Sequence, residues 1–191
     1  LARAGLIYPC CCNRADIAQA AAAPQEGVPE FGPDGRIYPG TCRHRSLSQA
    51  RPGDALRLDM RKAVKALQKP VTYEEFGEQH SKRITLKAEA LIAQVGDVVL
   101  RRKDQGAAYH LAVVIDDDAQ NITDVVRGAD LNAATQIHVV LQQLLNIPTP
   151  RYHHHSLIRD ETGKRLAKRS DSEALSSLRK AGHSAQDITE R

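Results

Sequence analysis

No run of about 18 or more apolar residues occurs in this chain of 191 residues, so the sequence offers no membrane-spanning helix. The first residues lack the basic and apolar regions of a secretory signal. Cysteine is scarce: of four, three are contiguous in "YPCCCNR" (8–14) and the fourth is Cys42 in "RIYPGTCRHR". A disulfide framework needs spaced partners, so thiols placed this way point instead to a metal site in a reducing, cytoplasmic setting. Charge of one sign is not in strong excess. The net charge of +4 permits a nucleic-acid partner without demanding one. Internal repeats and low-complexity tracts are also missing. The chain opens on Leu1 rather than Met, which suggests a fragment or a processed form.

What is present is an ordinary globular composition, 41% apolar and 26% charged, enough for one good core with a smaller attached unit. Residues 13–36 hold an Ala-rich stretch that suits a short helix, followed by a Pro/Gly-rich loop. Strand-like alternation covers Ala55–Met60 within a mixed, polar α+β region. Two β-branched runs, Asp97–Lys103 and Ala107–Ile115, read as strands around a Gly-containing turn. The acidic Asp116–Asp118 reads as a polar turn, and "NITDVVRG" as a further strand. Leu131, Ala134, Ile137, Val140, Leu141, Leu144 and Leu145 recur at helical spacing, and "PTP" at 148–150 stops that helix. Strand-like "YHHHSLI" leads to a basic loop. The last predicted helix has Asp171 or Ser172 as its N-cap and Gly182 just past its end. Strands alternating with helices in the second half argue for an α/β fold.

Extended backbone points alternate side chains the same way. Cys10 and Cys12 can therefore face one centre with Cys42, while Cys11 faces away and packs as a small apolar residue. A closed structural zinc site takes four ligands, and Tyr38 or His44 could supply the fourth; bare chemistry prefers the imidazole. Arg127, at the end of one strand, could bind a carboxylate in a pocket shared with Tyr109, near the start of another. The cations of "GKRLAKR" (163–169) could hold a polyphosphate. A metal at His153, His154 and His155 is disfavoured, because neighbours on a strand diverge.

In order along the chain, "GDVVLRRKDQGAAYHLAVVIDDDAQNITDVVRGADL" and "LLNIPTPRYHHHSLIRDETGKRLAKR" resemble the glutamyl-tRNA synthetase group of class I enzymes. "YPCCC" followed by "YPGTC" is most similar to its truncated branch, which attaches glutamate to queuosine in the anticodon of tRNA(Asp). The resemblance implies an α/β fold: the C-terminal part of a Rossmann-like catalytic domain with a zinc-containing α+β insertion. Residues 1–105 would form the zinc-bearing, RNA-approaching insertion, 106–170 the second half of the nucleotide-binding domain with its lysine signature loop, and 171–191 a C-terminal helical segment.

The same resemblance implies structural Zn2+ on Cys10, Cys12, Tyr38 and Cys42, which replaces His44 by Tyr38. It implies glutamate binding by Tyr109 and Arg127. ATP, with Mg2+, would be bound as a substrate by Lys168 and Arg165, Lys168 being the catalytic group on the leaving pyrophosphate. The implied reaction is attack of the glutamate carboxylate on the ATP α-phosphate, then transfer to the RNA, by a cytoplasmic monomer. Two departures stand out. Arg165 and Ala167 occupy the places of the usual first lysine and serine, and no H-x-G-H motif occurs in these residues.

Overall fold

The computed structural model describes residues 1–21, 29–77, 81–104, 106–159, 163 and 175–189. Residues 1–155 make one compact unit and residues 156–191 another. The first unit contains two four-stranded sheets. One is antiparallel, in the order β1 (Ile7–Cys10), β4 (Ala55–Leu58), β7 (Val99–Arg102), β8 (Gly106–Ala107). The other runs β6 (Ser81–Leu86), β5 (Val71–Phe76), β10 (Arg151–His155), β9 (Asp124–Gly128). In it β5, β10 and β9 are parallel, while β6 closes an antiparallel hairpin with β5. A small hairpin, β2 (Phe31–Gly32) with β3 (Gly35–Arg36), pairs with neither sheet, though its turn residue Asp34 accepts from the Val99 N–H of β7.

Helix α5 (Thr135–Leu145) is the crossover from β9 to β10, the βαβ unit that parallel strands require. It is buried nearly all round, from Thr135 and Ile137 through Gln142. Asn146 ends it in the left-handed region (φ 56°), Ile147 donates back to the Gln142 carbonyl at 2.8 Å, and Pro148 follows. Ile137, Val140 and Leu141 share one core with Leu58 and Leu100 of the first sheet and Tyr73 and Tyr152 of the second. Helix α2 (Met60–Ala66) seals the same core with Met60 and Ala63; its N-cap Asp59 accepts from the Lys62 N–H at 3.2 Å.

Several expected elements are found in place. These include α1 (Arg14–Ala21) in the Ala-rich stretch, β4, β7, β9, β10 and α5. The run Ala107–Ile115 is not a strand. Only Gly106–Ala107 pairs, and Tyr109–Ala119 form helix α4, so Tyr109 opens a helix and Asp116–Asp118 form its last turn. The reason is packing: His110 and Val114, four residues apart, fall on one buried helical face, which outweighs the strand preference of Val113–Ile115.

Before β7, helix α3 (Ala88–Ala90) runs into a π turn, Leu91–Val95. Gly96 then takes φ +69°, and a Cβ there would meet Ile37 Cγ2 at 2.8 Å, so a side chain is excluded on both counts. Sheet β6-β5-β10-β9 joins strands from either side of residue 105, where a domain boundary was expected. In the second unit α6 (Leu175–Lys180) ends before Gly182 (φ 92°), and α7 (Ala185–Thr189) starts at a reciprocal Ser184–Asp187 cap. The expected caps Asp171 and Ser172 lie outside the described residues. No helix among the described residues is long and apolar enough to cross a membrane.

Candidate functional site

Strand β1 ends at Cys10, and the turn after Tyr38 brings Cys42 back against it. The Sγ atoms of Cys10, Cys12 and Cys42 all lie within 4.8 Å of one another, and Cys12–Cys42 is 3.5 Å. The Tyr38 hydroxyl stands 3.4 Å from both Cys10 and Cys12 and accepts the Cys42 N–H at 2.9 Å. Metal–ligand bonds of zinc length in a tetrahedron put sulfurs about 3.8 Å apart and a phenol oxygen about 3.5 Å from each. The donor set therefore fits a metal ion of that kind. Burial pushes the Cys12 thiol up to about 11. At Cys42 burial also raises the thiol. Hydrogen bonding by Tyr38, the Cys11 backbone and the neighbouring thiols outweighs it and brings Cys42 down to about 6.

Two expectations need correction here. His44 is exposed and stands outside the three-thiol group, so of the two neighbours of Cys42 it is Tyr38, not the chemically preferred His44, that lies beside the sulfurs. Cys11 does not pack as a buried apolar residue; it is exposed, with its Sγ 3.8 Å from that of Cys42. Strand geometry stops at Cys10, so the two-residue alternation does not govern Cys11.

Sequence reasoning missed the residue that holds the two halves of this site together. The Asp97 carboxylate accepts from Tyr8 Oη at 2.5 Å, Arg43 Nε at 2.8 Å and the Met60 N–H at 2.9 Å. Tyr8 lies on the Cys10 strand and Arg43 follows Cys42. Only a polar residue after Gly96, inside an otherwise apolar run, hinted at it.

The second constellation lies between α4, β9, α5 and β10. Arg127 donates through Nε to His154 Nε2 (3.1 Å) and through Nη2 to Thr135 Oγ1 (2.6 Å) and the Leu131 carbonyl (3.3 Å). Its Nη1 is 3.2 Å from His138 Nδ1, and its guanidinium lies over the Tyr152 ring. Tyr109, 49% exposed, sets its ring 6.0 Å from that of His138, so the same histidine neighbours both predicted glutamate ligands. His110, His138 and Glu75 were not singled out from sequence: the two histidines are isolated polar residues there, and Glu75 sits beside Glu74 in a polar stretch. His154 belongs to a hydrogen-bond network with Glu75, which is the use the structure makes of this histidine.

A cleft of about 970 Å³ runs from Cys12 and Tyr38 past Arg57 and Asp97 to Tyr109 and His110, so the thiol cluster and the Tyr109 region open onto one space. Lys168 and Arg165 lie outside the described residues.

His138 is 2% exposed. Burial, then the charge of Arg127, pushes its pKa down from 6.5 to about 3. The unfolded chain takes up a proton near pH 6.5 that the folded one refuses until about pH 3. This residue's share of stability is thus intact above that range and lost as pH falls through it, at a slope approaching ~1.4 kcal/mol per pH unit. His138→Gln should flatten the difference in urea-unfolding stability between roughly pH 6 and 4. An unchanged slope would mean that the ring is already charged.

The family model for tRNA synthetases class I (E and Q), catalytic domain, matches residues 38–188. The chain belongs to this class I synthetase family. It is 52% identical over 187 residues to the Glutamyl-Q tRNA(Asp) synthetase of Rhodobacter capsulatus, covering 96% of this chain and 66% of the relative. It is 41% identical to the enzyme of that name from Geobacter sulfurreducens, covering 94% of this chain and 51% of that one. The fold is similar to a glutamate tRNA ligase of Elizabethkingia meningosepticum, with a TM-score of 0.55 at 20% identity, across 93% of this chain and 34% of that one. The chain thus spans between half and two thirds of the length of these curated relatives.

Proposed function

We propose that the whole protein activates glutamate with ATP and transfers it to queuosine in the anticodon of tRNA(Asp), in the cytoplasm and as a monomer. The observation that carries this reading is the 52% identity to a Glutamyl-Q tRNA(Asp) synthetase along 96% of the chain. In this reading Arg127 and Tyr109 receive glutamate, and Lys168 with Arg165 neutralises ATP phosphates bound with Mg2+. Rate then comes from positioning and fixed charge rather than from a covalent bond to the protein. Cys10, Cys12, Tyr38 and Cys42 would hold a structural zinc that shapes residues 1–105 for the approach of RNA.

The matched family model, which covers class I synthetases for E and Q, also fits a second reading, charging of tRNA(Glu). A third is a zinc-stabilised RNA-binding module without catalysis. One experiment separates them: labelled glutamate and ATP are given to the full-length gene product with tRNA(Asp) bearing queuosine, tRNA(Asp) lacking it, or tRNA(Glu). Label is expected on the first alone. Label on tRNA(Glu) would establish the second reading, and RNA binding with no ATP–pyrophosphate exchange the third.

A further inference from the structure

The hydrogen bonds around Arg127 fix where three histidine protons sit. An arginine has five N–H donors, no acceptor, and does not deprotonate in proteins. His154 Nε2, which receives Arg127 Nε–H, must therefore be bare, and so must His138 Nδ1, which faces Arg127 Nη1. Neither ring can then be an imidazolium. His154 carries its proton on Nδ1, 2.9 Å from both Glu75 carboxylate oxygens. Asn132 Nδ2 lies 3.3 Å from that Nδ1; both nitrogens are then donors, so no hydrogen bond joins them. The Thr135 hydroxyl accepts from Arg127 and lies 3.1 Å from the bare His154 Nε2, where its own hydrogen can go.

The same logic continues through His138. Its proton must be on Nε2, 3.0 Å from His110 Nδ1. His110 therefore accepts there and keeps its proton on Nε2, which lies 3.3 Å from Asp34. The contact of His154 with Glu75, which looks like an ion pair, is thus a hydrogen bond from a neutral ring, and His110 approaches Asp34 as a neutral ring too. Among the described residues no carboxylate touches Arg127. Glu75 reaches it only through His154, and Asp117 only by its field at longer range.

We propose that His138 and His154 are positioning residues for Arg127: as neutral acceptors they hold its guanidinium in one orientation without cancelling its charge. A carboxylate in their place would hold the arginine equally well and leave it no net attraction for an anion. The contacts use four of the five N–H donors, so one Nη1 N–H, backed by a full positive charge, is left for an incoming carboxylate. This rests on the reading of Arg127 as a glutamate-binding residue and adds the means by which it remains a receptor.

Long-range proton–nitrogen NMR of the ¹⁵N-labelled chain at neutral pH tests the assignment directly. Expected are protons on Nε2 of His138 and His110 and on Nδ1 of His154. A proton on either Arg127-facing nitrogen, or an imidazolium at either ring, overturns the proposal. His154→Gln, which can still offer an oxygen to Nε–H, should keep the Arg127 Nε–H signal protected. His154→Leu should speed its hydrogen exchange by roughly tenfold or more, as local opening becomes easier. Equal exchange in parent and both variants also overturns it. If the Leu variant does not fold, the parent's tautomers decide alone. Titrating L-glutamate against the Arg127 Nε–H signal is the separate arm. Correct tautomers with an unmoved signal would sink the glutamate assignment and leave the cradle standing.

Discussion

Cys12→Ser should strip the protein of metal, whereas Cys11→Ser should leave about one zinc per chain in place. The two residues are neighbours in sequence, yet only Cys12 has its sulfur in the group with Cys10 and Cys42. A structural zinc site contributes on the order of 10 kcal/mol or more to the segment that it closes. Here that segment includes β1 and the Tyr38–Cys42 turn, so the effect on unfolding should be among the largest of any single substitution. Elemental analysis of tag-free protein, with thermal unfolding before and after chelation, checks both parts. Equal zinc loss in the two variants would show that Cys11 is a ligand and that the proposed set is wrong.

Arg127→Ala in the full-length enzyme should weaken glutamate binding by roughly 2–5 kcal/mol, the cost of deleting one partner of a desolvated charge pair. Part of that loss is internal, because His138, His154 and Thr135 lose the donor they all point at. Arg127→Lys separates the terms: it restores the charge but not the fork that reaches two rings at once, so recovery should be partial. KM for glutamate and kcat, measured together, distinguish lost binding from lost alignment. Unchanged values for both would remove Arg127 from the site.

Much of this was legible in the residues themselves. The helical spacing from Leu131 to Leu145 located the crossover helix, and β-branched runs located β7 and β9. The cysteine spacing alone was enough to place Cys10, Cys12 and Cys42 together. Where reading failed, a local signal was outweighed by a distant one. Val113–Ile115 prefer strands, but His110 and Val114 had a core to face only as a helix. His44 is a better ligand than a phenol in isolation, yet the turn through Gly40 leaves it in solvent and brings Tyr38 inward. Asp97 was invisible for the same reason: its partners Tyr8, Arg43 and Met60 are 89, 54 and 37 residues away, and no periodicity links them.

That carboxylate has a consequence for how the molecule comes apart. Asp97 is 1% exposed at its side chain and its partner Arg43 22%. Lifting the Cys42 turn away from the sheet would strand one charge in the interior, a penalty of about 3–5 kcal/mol. The turn therefore cannot fray as an ordinary surface loop does. It should melt with β1 and the start of α2 as one cooperative unit, which would hold the three sulfurs at their spacing without a metal. A metal bound there would enter a site whose ordering entropy was already lost on folding, so loading and release should leave the backbone around Tyr38 and Cys42 almost unmoved.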